Sequence, residues 1–63
     1  MCLATAYKTQ AVEENLLMRN VQRIECHDGQ VFLTDLMDRQ VVIEGELVMA
    51  DLVENVVIVR ERG

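Results

Sequence analysis

The chain has 63 residues, of which 51% are hydrophobic and 27% are charged, and its formal net charge is -5 at pH 7. This length fits one domain, residues 1–63, and the composition is typical of a globular protein rather than a disordered one. The acidic balance disfavours nucleic acid, because binding to a phosphate backbone depends on Lys and Arg displacing condensed counterions. A domain this small buries too little surface to be comfortably stable alone, so we expect it to dimerise.

The N-terminal segment lacks the pattern of a targeting signal. Residues 1–10 read MCLATAYKTQ and contain neither a basic segment nor the apolar run that follows it in a secretory signal. No apolar run in the chain approaches the roughly 18 residues that a membrane-spanning helix requires. We therefore expect a cytoplasmic protein without a membrane anchor.

The first third of the chain predicts one strand and then an ambiguous stretch. Side chains alternate over residues 3–8, with Thr and Tyr present, as is typical of a strand. The apolar spacing within residues 14–24 fits a helix face, so a helical turn is possible there. The stretch leads directly into a hairpin signal, and we favour a strand from about Asn20. A bulge between Val21 and Ile24 is then required, because their spacing breaks the two-residue period of a strand.

The middle of the chain contains the strongest turn signal. Asp28-Gly29 is followed by a β-branched and aromatic run, a combination typical of a tight β-hairpin. Residues 30–36 then form the return strand, with their side chains alternating between two faces. Asp38-Arg39 is suited to close the next turn. This part of the chain therefore predicts two antiparallel strands and a second reversal.

The last third predicts two or three further strands. Apolar runs cover residues 40–44 and 47–52 and are separated by Gly45. A continuous β-branched run at 56–59 follows Asn55, a residue that tolerates the left-handed backbone of a tight reversal. Five or six short strands result. They predict a mostly β fold, a small bent sheet or partly open barrel of the Sm or SH3 type.

Cys2 has the clearest potential for metal chemistry. If Met1 is retained, its amine, the amide nitrogen of Cys2 and the Cys2 sulfur can form fused chelate rings; if Met1 is removed, the amine and sulfur of Cys2 form one ring. Two chains that meet at their N-termini would supply a square-planar nitrogen and sulfur site, which suits nickel or copper better than zinc. The alternative is that Cys2 is an ordinary small apolar residue at the start of a strand.

Other residues with metal-binding side chains have simpler interpretations. We expect Cys26 to be a buried, inert thiol and His27 to be exposed at the turn. As neighbours on a strand they point to opposite faces, so they are poorly placed to share one metal. Thioether side chains are expected to fill gaps in the core. These methionines are Met18, Met37 and Met49.

The sequence gives no support for catalysis. Its only histidine has no nearby nucleophile signature, and no glycine-rich loop is present to cradle phosphate. Adjacent carboxylates occur at Glu13-Glu14 and around Gly45, where Glu44 and Glu46 flank the glycine. We assign these to solvated turns. The chain is therefore predicted not to be an enzyme.

The chain resembles the CooT family, the small nickel-binding accessory proteins of carbon monoxide dehydrogenase maturation. The likeness covers nearly the full length, and only the opening Met1-Cys2 is specific to function. The other matching positions belong to strands and turns and argue for a shared fold. They are Asp28-Gly29 with Val31 and Leu33, residues 34–38, residues 50–52 with Asn55, and Val57 and Val59.

The resemblance implies a homodimer of small β domains with nickel at the dimer interface and Cys2 as the essential ligand. It also implies that the protein holds or delivers Ni(II) for carbon monoxide dehydrogenase or another nickel enzyme. Two alternatives stay open: a small barrel that binds RNA, and a protein-interaction module without a metal. The acidic charge, with Tyr7 and Phe32 as the only aromatic residues, weakens the RNA alternative.

Overall fold

The computed structural model describes residues 3–62, which form a five-stranded β-barrel. Its elements are β1 (Ala4–Lys8), a 3-10 helix (Glu13–Asn15), β2 (Leu16–His27), β3 (Gln30–Asp35), β4 (Gln40–Asp51) and β5 (Val56–Glu61). The strands follow chain order around the barrel, which closes where β5 pairs with β1. That closing pair is parallel and the other four pairs are antiparallel. The mostly β prediction is confirmed, and the barrel is closed rather than partly open.

Two long, bent strands connect the two sides of the barrel. The first half of β2 pairs with β1 and its second half with β3, while β4 pairs first with β3 and then with β5. The backbone of β2 turns at Asn20, where φ is 57°, and the register shifts between Val21 and Arg23. The predicted bulge is thus confirmed. It gives β2 the sharp bend that a barrel of so few strands requires.

Gly45 allows the corresponding bend in β4. A Cβ atom at this position would lie 1.9 Å from the carbonyl oxygen of Arg60 on β5, so only glycine fits. We predicted that Gly45 separates two strands, and this is wrong because β4 continues through it. The Gly45 N–H donates to the carbonyl of Gly29 at 2.9 Å, so the bend is hydrogen-bonded.

The predicted start of β2 was also wrong. The strand begins at Leu16 rather than near Asn20, and within residues 3–62 the only helical turn is the three-residue 3-10 helix before it. Pairing with β1 explains the difference, because Met18 lies opposite Ala6 and both are buried in the core. The helix-like spacing of the apolar residues in 14–24 arises because the pairing of β2 with β1 and β3 shifts register.

The turns follow the sequence signals closely. Asp28 and Gly29 both have positive φ, 55° and 73°, as a two-residue hairpin with a type I′ turn requires. Asp38 and Asn55 also adopt the left-handed conformation, with φ of 65° and 59°. The three predicted reversals are confirmed.

A single hydrophobic core fills the barrel. Its buried members come from all five strands and lie at inward-facing positions: Ala6, Met18, Val21, Val31, Leu33, Ile43, Val57 and Val59. Within residues 3–62 no helix is long and apolar enough to cross a membrane.

Candidate metal site

The predicted ligands Met1 and Cys2 lie outside the described residues, but the structure locates the strand that follows them. β1 runs parallel to β5 with Thr5 opposite Val56. The Thr5 N–H donates to the carbonyl of Asn55 at 2.9 Å. The N-terminal end of β1 therefore lies beside the turn that connects β4 with β5.

That turn presents two apolar side chains to solvent. Leu52 and Val53 are 82% and 86% exposed. The carboxylate of Asp51 accepts the backbone N–H groups of Val53 and Glu54, at 3.0 and 2.9 Å, and so fixes the turn. Leu52 was predicted to end a strand, and it lies in the turn instead. An Asp that begins a reversal between two apolar runs was the available signal.

Cys26 is exposed and free, so its predicted burial was wrong. It lies opposite Val31, a core residue, in the next-to-last position of β2. An open depression of about 350 Å³ is present there. It is lined by Cys26, His27, Gly29, Gln30, Gly45, Glu46 and Leu47.

His27 is exposed, as predicted, and packs against an aromatic ring. Its imidazole meets Phe32 edge to face, with 4.7 Å between ring centroids. His27 pairs with Gln30, while Cys26 pairs with Val31, so the two neighbours occupy alternating positions of the strand. Among residues 3–62, no group of three or more His, Cys, Asp or Glu side chains is arranged to hold a metal. The depression is not a preformed metal site of the described chain.

The methionines divide between core and surface. Met18 is buried, as predicted, whereas Met37 and Met49 are 71% and 41% exposed. The core prediction was wrong for these two. Met37 lies in the β3–β4 turn, and Met49 lies on β4 opposite Ile58.

Most basic side chains are paired with carboxylates, and this shapes the electrostatic surface. Five of the six Lys and Arg residues form ion pairs within residues 3–62. The pairs are Lys8–Glu61 at 3.3 Å, Arg19–Glu13 at 2.6 Å, Arg39–Asp35 at 2.8 Å, Arg62–Glu44 at 3.8 Å, and Arg60–Glu46. An RNA-binding strip needs basic groups free to meet phosphates, so this arrangement disfavours RNA.

The carboxylates predicted at turns are exposed, but two of them are not in a turn. Glu44 and Glu46 lie within β4, on either side of the bend at Gly45. Glu44 accepts a hydrogen bond from Gln30 Nε2 at 2.6 Å. A hydrogen bond from Arg60, together with its charge, lowers the pKa of Glu46 below its ordinary value. Both side chains thus have local partners on the surface of the barrel.

The family model for the CO dehydrogenase accessory protein CooT matches residues 1–60. The chain belongs to the CooT family. Its fold is similar to a crystal structure described as CooT from Carboxydothermus hydrogenoformans, with a TM-score of 0.83 at 18% identity. That alignment covers 98% of this chain and 100% of the other, and at this identity it shows a common fold. No curated protein matches the sequence.

Proposed function

We propose that this CooT protein binds Ni(II) through Cys2 and the nitrogen donors of Met1-Cys2, and that it holds or delivers the metal for maturation of CO dehydrogenase. The observation that carries the proposal is the family match, which runs over residues 1–60 and so includes both proposed ligands. CO dehydrogenase accessory function is the family's description. Nickel is the metal that the family resemblance implies for that task.

The donor chemistry of the chain supports an N-terminal site. Residues 3–62 contain no cluster of three or more side chains suited to a metal, so a tight site must draw on other donors. A thiolate with an amine or a deprotonated amide suits nickel and copper. One chain supplies two or three such donors, and two chains supply enough for a square-planar ion. We therefore propose that a homodimer completes the site.

The position of β1 supports a shared site. Thr5 lies three residues from Cys2, so even a fully extended chain keeps Cys2 within about 11 Å of it. Thr5 is itself fixed by its hydrogen bond to Asn55, beside the exposed Leu52 and Val53. Apolar contact at this turn would hold two N-termini near each other. The nitrogen and sulfur donors would then meet with little loss of conformational entropy.

A protein-interaction module without a metal is the second candidate, and the same turn favours it. Leu52 and Val53 are large apolar side chains held in solvent by a hydrogen-bonded loop. Such groups commonly contact a partner protein. This candidate predicts that Cys2→Ser leaves every binding activity of the protein intact.

A nickel titration of the reduced protein, followed by absorption spectroscopy, tests the proposal. We expect thiolate-to-nickel bands that saturate at one metal per two chains and disappear in Cys2→Ser. Cys26→Ser is the matched control, since it removes the other thiol, and it should keep the bands. Affinity should rise with pH because the ligands must lose protons before they coordinate. Nickel binding in Cys2→Ser as tight as in the parent protein would contradict the proposed site.

A further inference from the structure

Two turns with exposed apolar side chains lie on either side of the start of β1. One is the β4–β5 turn with Leu52 and Val53, which adjoins β1 through β5. The other is the β3–β4 turn, where Leu36 and Met37 are 56% and 71% exposed. These four are the most exposed large apolar side chains of residues 3–62. Neighbouring exposed apolar residues of this kind mark a contact surface.

The β3–β4 turn is separated from the start of β1 by a single strand. Val21 of β2 pairs with Ala4 on one side and with Asp35, the last residue of β3, on the other. Paired Cα atoms lie about 5 Å apart, and Cys2 is two residues from Ala4. The Cα atoms of Cys2 and Asp35 therefore stay within about 18 Å of each other in any conformation. A protein bound to this turn would lie within reach of the proposed nickel ligands.

Hydrogen bonds fix the backbone of the β3–β4 turn. The Leu36 N–H donates to the carbonyl of Asn20 at 2.9 Å. The N–H groups of the next three residues all donate to Asp35, two to its carboxylate and one to its carbonyl, at 2.8 to 3.0 Å. Leu36 and Met37 are thus held in solvent on an ordered backbone. A partner that binds them loses little entropy in ordering the turn.

Charge at the turn indicates which partner fits it. Five of the eleven acidic side chains are ion-paired within residues 3–62, and Asp38 is among the six that are not. Arg23 lines an open depression of about 310 Å³ together with Asp38 but forms no ion pair with it. A second copy bound symmetrically at this turn would bring its own Asp38 against the first, which is unfavourable between two acidic chains. An apolar surface bordered by Lys or Arg is complementary to the turn in both polarity and charge.

We infer that the β3–β4 turn is the surface on which the protein docks to the metal-free CO dehydrogenase. Leu36 and Met37 enter an apolar pocket of the enzyme, and Asp38 faces basic side chains that border this pocket. The inference rests on the proposed function for the identity of the partner and adds the surface and chemistry of the contact. It leaves the β4–β5 turn, on the other side of β1, available for contact between two copies. The enzyme can therefore bind the dimer.

Polar side chains of similar shape at the turn test the apolar part of the contact. Leu36→Asn and Met37→Gln each remove an apolar group at an exposed position, so the domain should still fold. Val42→Thr is the matched control, since it makes the same kind of exchange on β4 at a position that is 46% exposed. Biolayer interferometry measures binding of each nickel-loaded protein to the metal-free CO dehydrogenase of the same organism. We expect the dissociation constant to rise at least about 10-fold in each turn variant and less than about 2-fold in the control.

Asp38→Asn tests the charged part of the contact. Asn keeps the shape of the side chain and accepts the φ of 65° found at this position. We expect binding to the enzyme to weaken about 3-fold at low ionic strength, and the difference to shrink as salt is added. Asp28→Asn is the matched control, because it removes the same charge from the β2–β3 turn at a φ of 55°. It should change binding less than Asp38→Asn does.

The outcomes separate the docking surface from the nickel site. A parent protein that does not bind the enzyme, or turn variants that bind it as tightly as the parent, would overturn the inference. Native mass spectrometry that shows loss of a dimer in the turn variants would overturn it too, since a second copy would then occupy the turn. So would loss of nickel binding in these variants, because the turn would then belong to the metal site. If Leu36→Asn fails to fold by circular dichroism, Met37→Gln alone decides.

Failure of the proposed function gives a different result. In that case the parent protein binds no nickel in the absorption titration, yet its metal-free form binds the enzyme and Met37→Gln weakens this binding. The turn then stands as the docking surface, and the nickel site at Cys2 is refuted.

Discussion

Asp35 and Arg39 hold the β3–β4 turn by bonding to each other in both directions. The Asp35 N–H donates to the Arg39 carbonyl at 2.9 Å, and the backbone N–H and Nε of Arg39 each donate to the Asp35 carboxylate at 2.8 Å. The Met37 N–H donates to the same carboxylate at 2.9 Å. Asp35 is only 3% exposed. Since a buried carboxylate is tolerated only when it is hydrogen-bonded, the turn and the ionisation of Asp35 depend on each other.

We expect this carboxylate to contribute to acid unfolding. Burial alone would raise the pKa of Asp35, but hydrogen bonds from Arg39 and Met37 and the charge of Arg39 hold it below its ordinary value. A depressed folded pKa gives stability that is present above the unfolded pKa, about 3.9, and lost as the pH falls through the folded value. Asp35→Asn should therefore lower the free energy of unfolding at neutral pH and flatten its decline below about pH 4.

Urea unfolding over a pH series measures both effects of Asp35→Asn. Asp28→Asn is the control, because it changes the same functional group in an exposed turn and Asn accepts the positive φ found there. The same flattening in Asp28→Asn would mean that Asp35 is not the responsible group.

Gly45→Ala should destabilise the barrel through a direct clash. The added Cβ would lie 1.9 Å from the backbone oxygen of Arg60, and a backbone atom in a paired strand has little room to move. We expect the free energy of unfolding to fall by at least about 2 kcal/mol, as measured by chemical denaturation.

Gly29→Ala is the comparison for Gly45→Ala, because it tests the cost of positive φ without a backbone clash. Its Cβ would lie 2.9 Å from the end of the Arg62 side chain, which can move away, so the remaining cost comes from the positive φ. That cost is about 1 kcal/mol. If Gly45→Ala and Gly29→Ala lower the free energy of unfolding equally, the close approach of Arg60 is not the reason that position 45 requires glycine.

Local rules predicted the turns and the bulge, and they failed where a distant strand decides the outcome. Asp28-Gly29 encodes its own turn, and the spacing of Val21 and Ile24 signals the bulge within a few residues. The continuity of β4 depends instead on Arg60, which lies 15 residues from Gly45 and approaches only when β4 pairs with β5. For this reason Gly45, between two apolar runs, suggests the end of a strand in the sequence, whereas in the structure β4 continues through it.

The candidate site was predictable only in part for a related reason. The ligand pair Met1-Cys2 stays a prediction that rests on two adjacent residues, and nickel is what the family resemblance implies for it. The pairing of Tyr7 with Ile58 does not follow from either, because it forms only when β1 lies parallel to β5. Parallel pairing between the first and last strands is a contact of high sequence separation that no short pattern encodes.

Asn55 should matter for the position of β1 as well as for the turn. Its φ of 59° is unfavourable for most residues, and its carbonyl accepts the Thr5 N–H at 2.9 Å. Asn55→Ala should lower the free energy of unfolding by about 1 kcal/mol and speed hydrogen exchange of the Thr5 amide, as NMR would detect. Asn55→Gly is the control, since glycine accepts this φ, and it should retain most of the protection. Similar exchange rates in both variants would argue against a role for the left-handed conformation.

Cys26 should be chemically accessible in the native protein. The side chain is exposed and free, although its sequence position suggested a buried thiol. In Cys2→Ser, where Cys26 is the only thiol, a chromogenic thiol reagent should react fully without denaturant. Cys26→Ser should change the free energy of unfolding by no more than about 0.5 kcal/mol, because surface substitutions rarely do more. A thiol in Cys2→Ser that reacts only after unfolding would contradict the exposed position of Cys26.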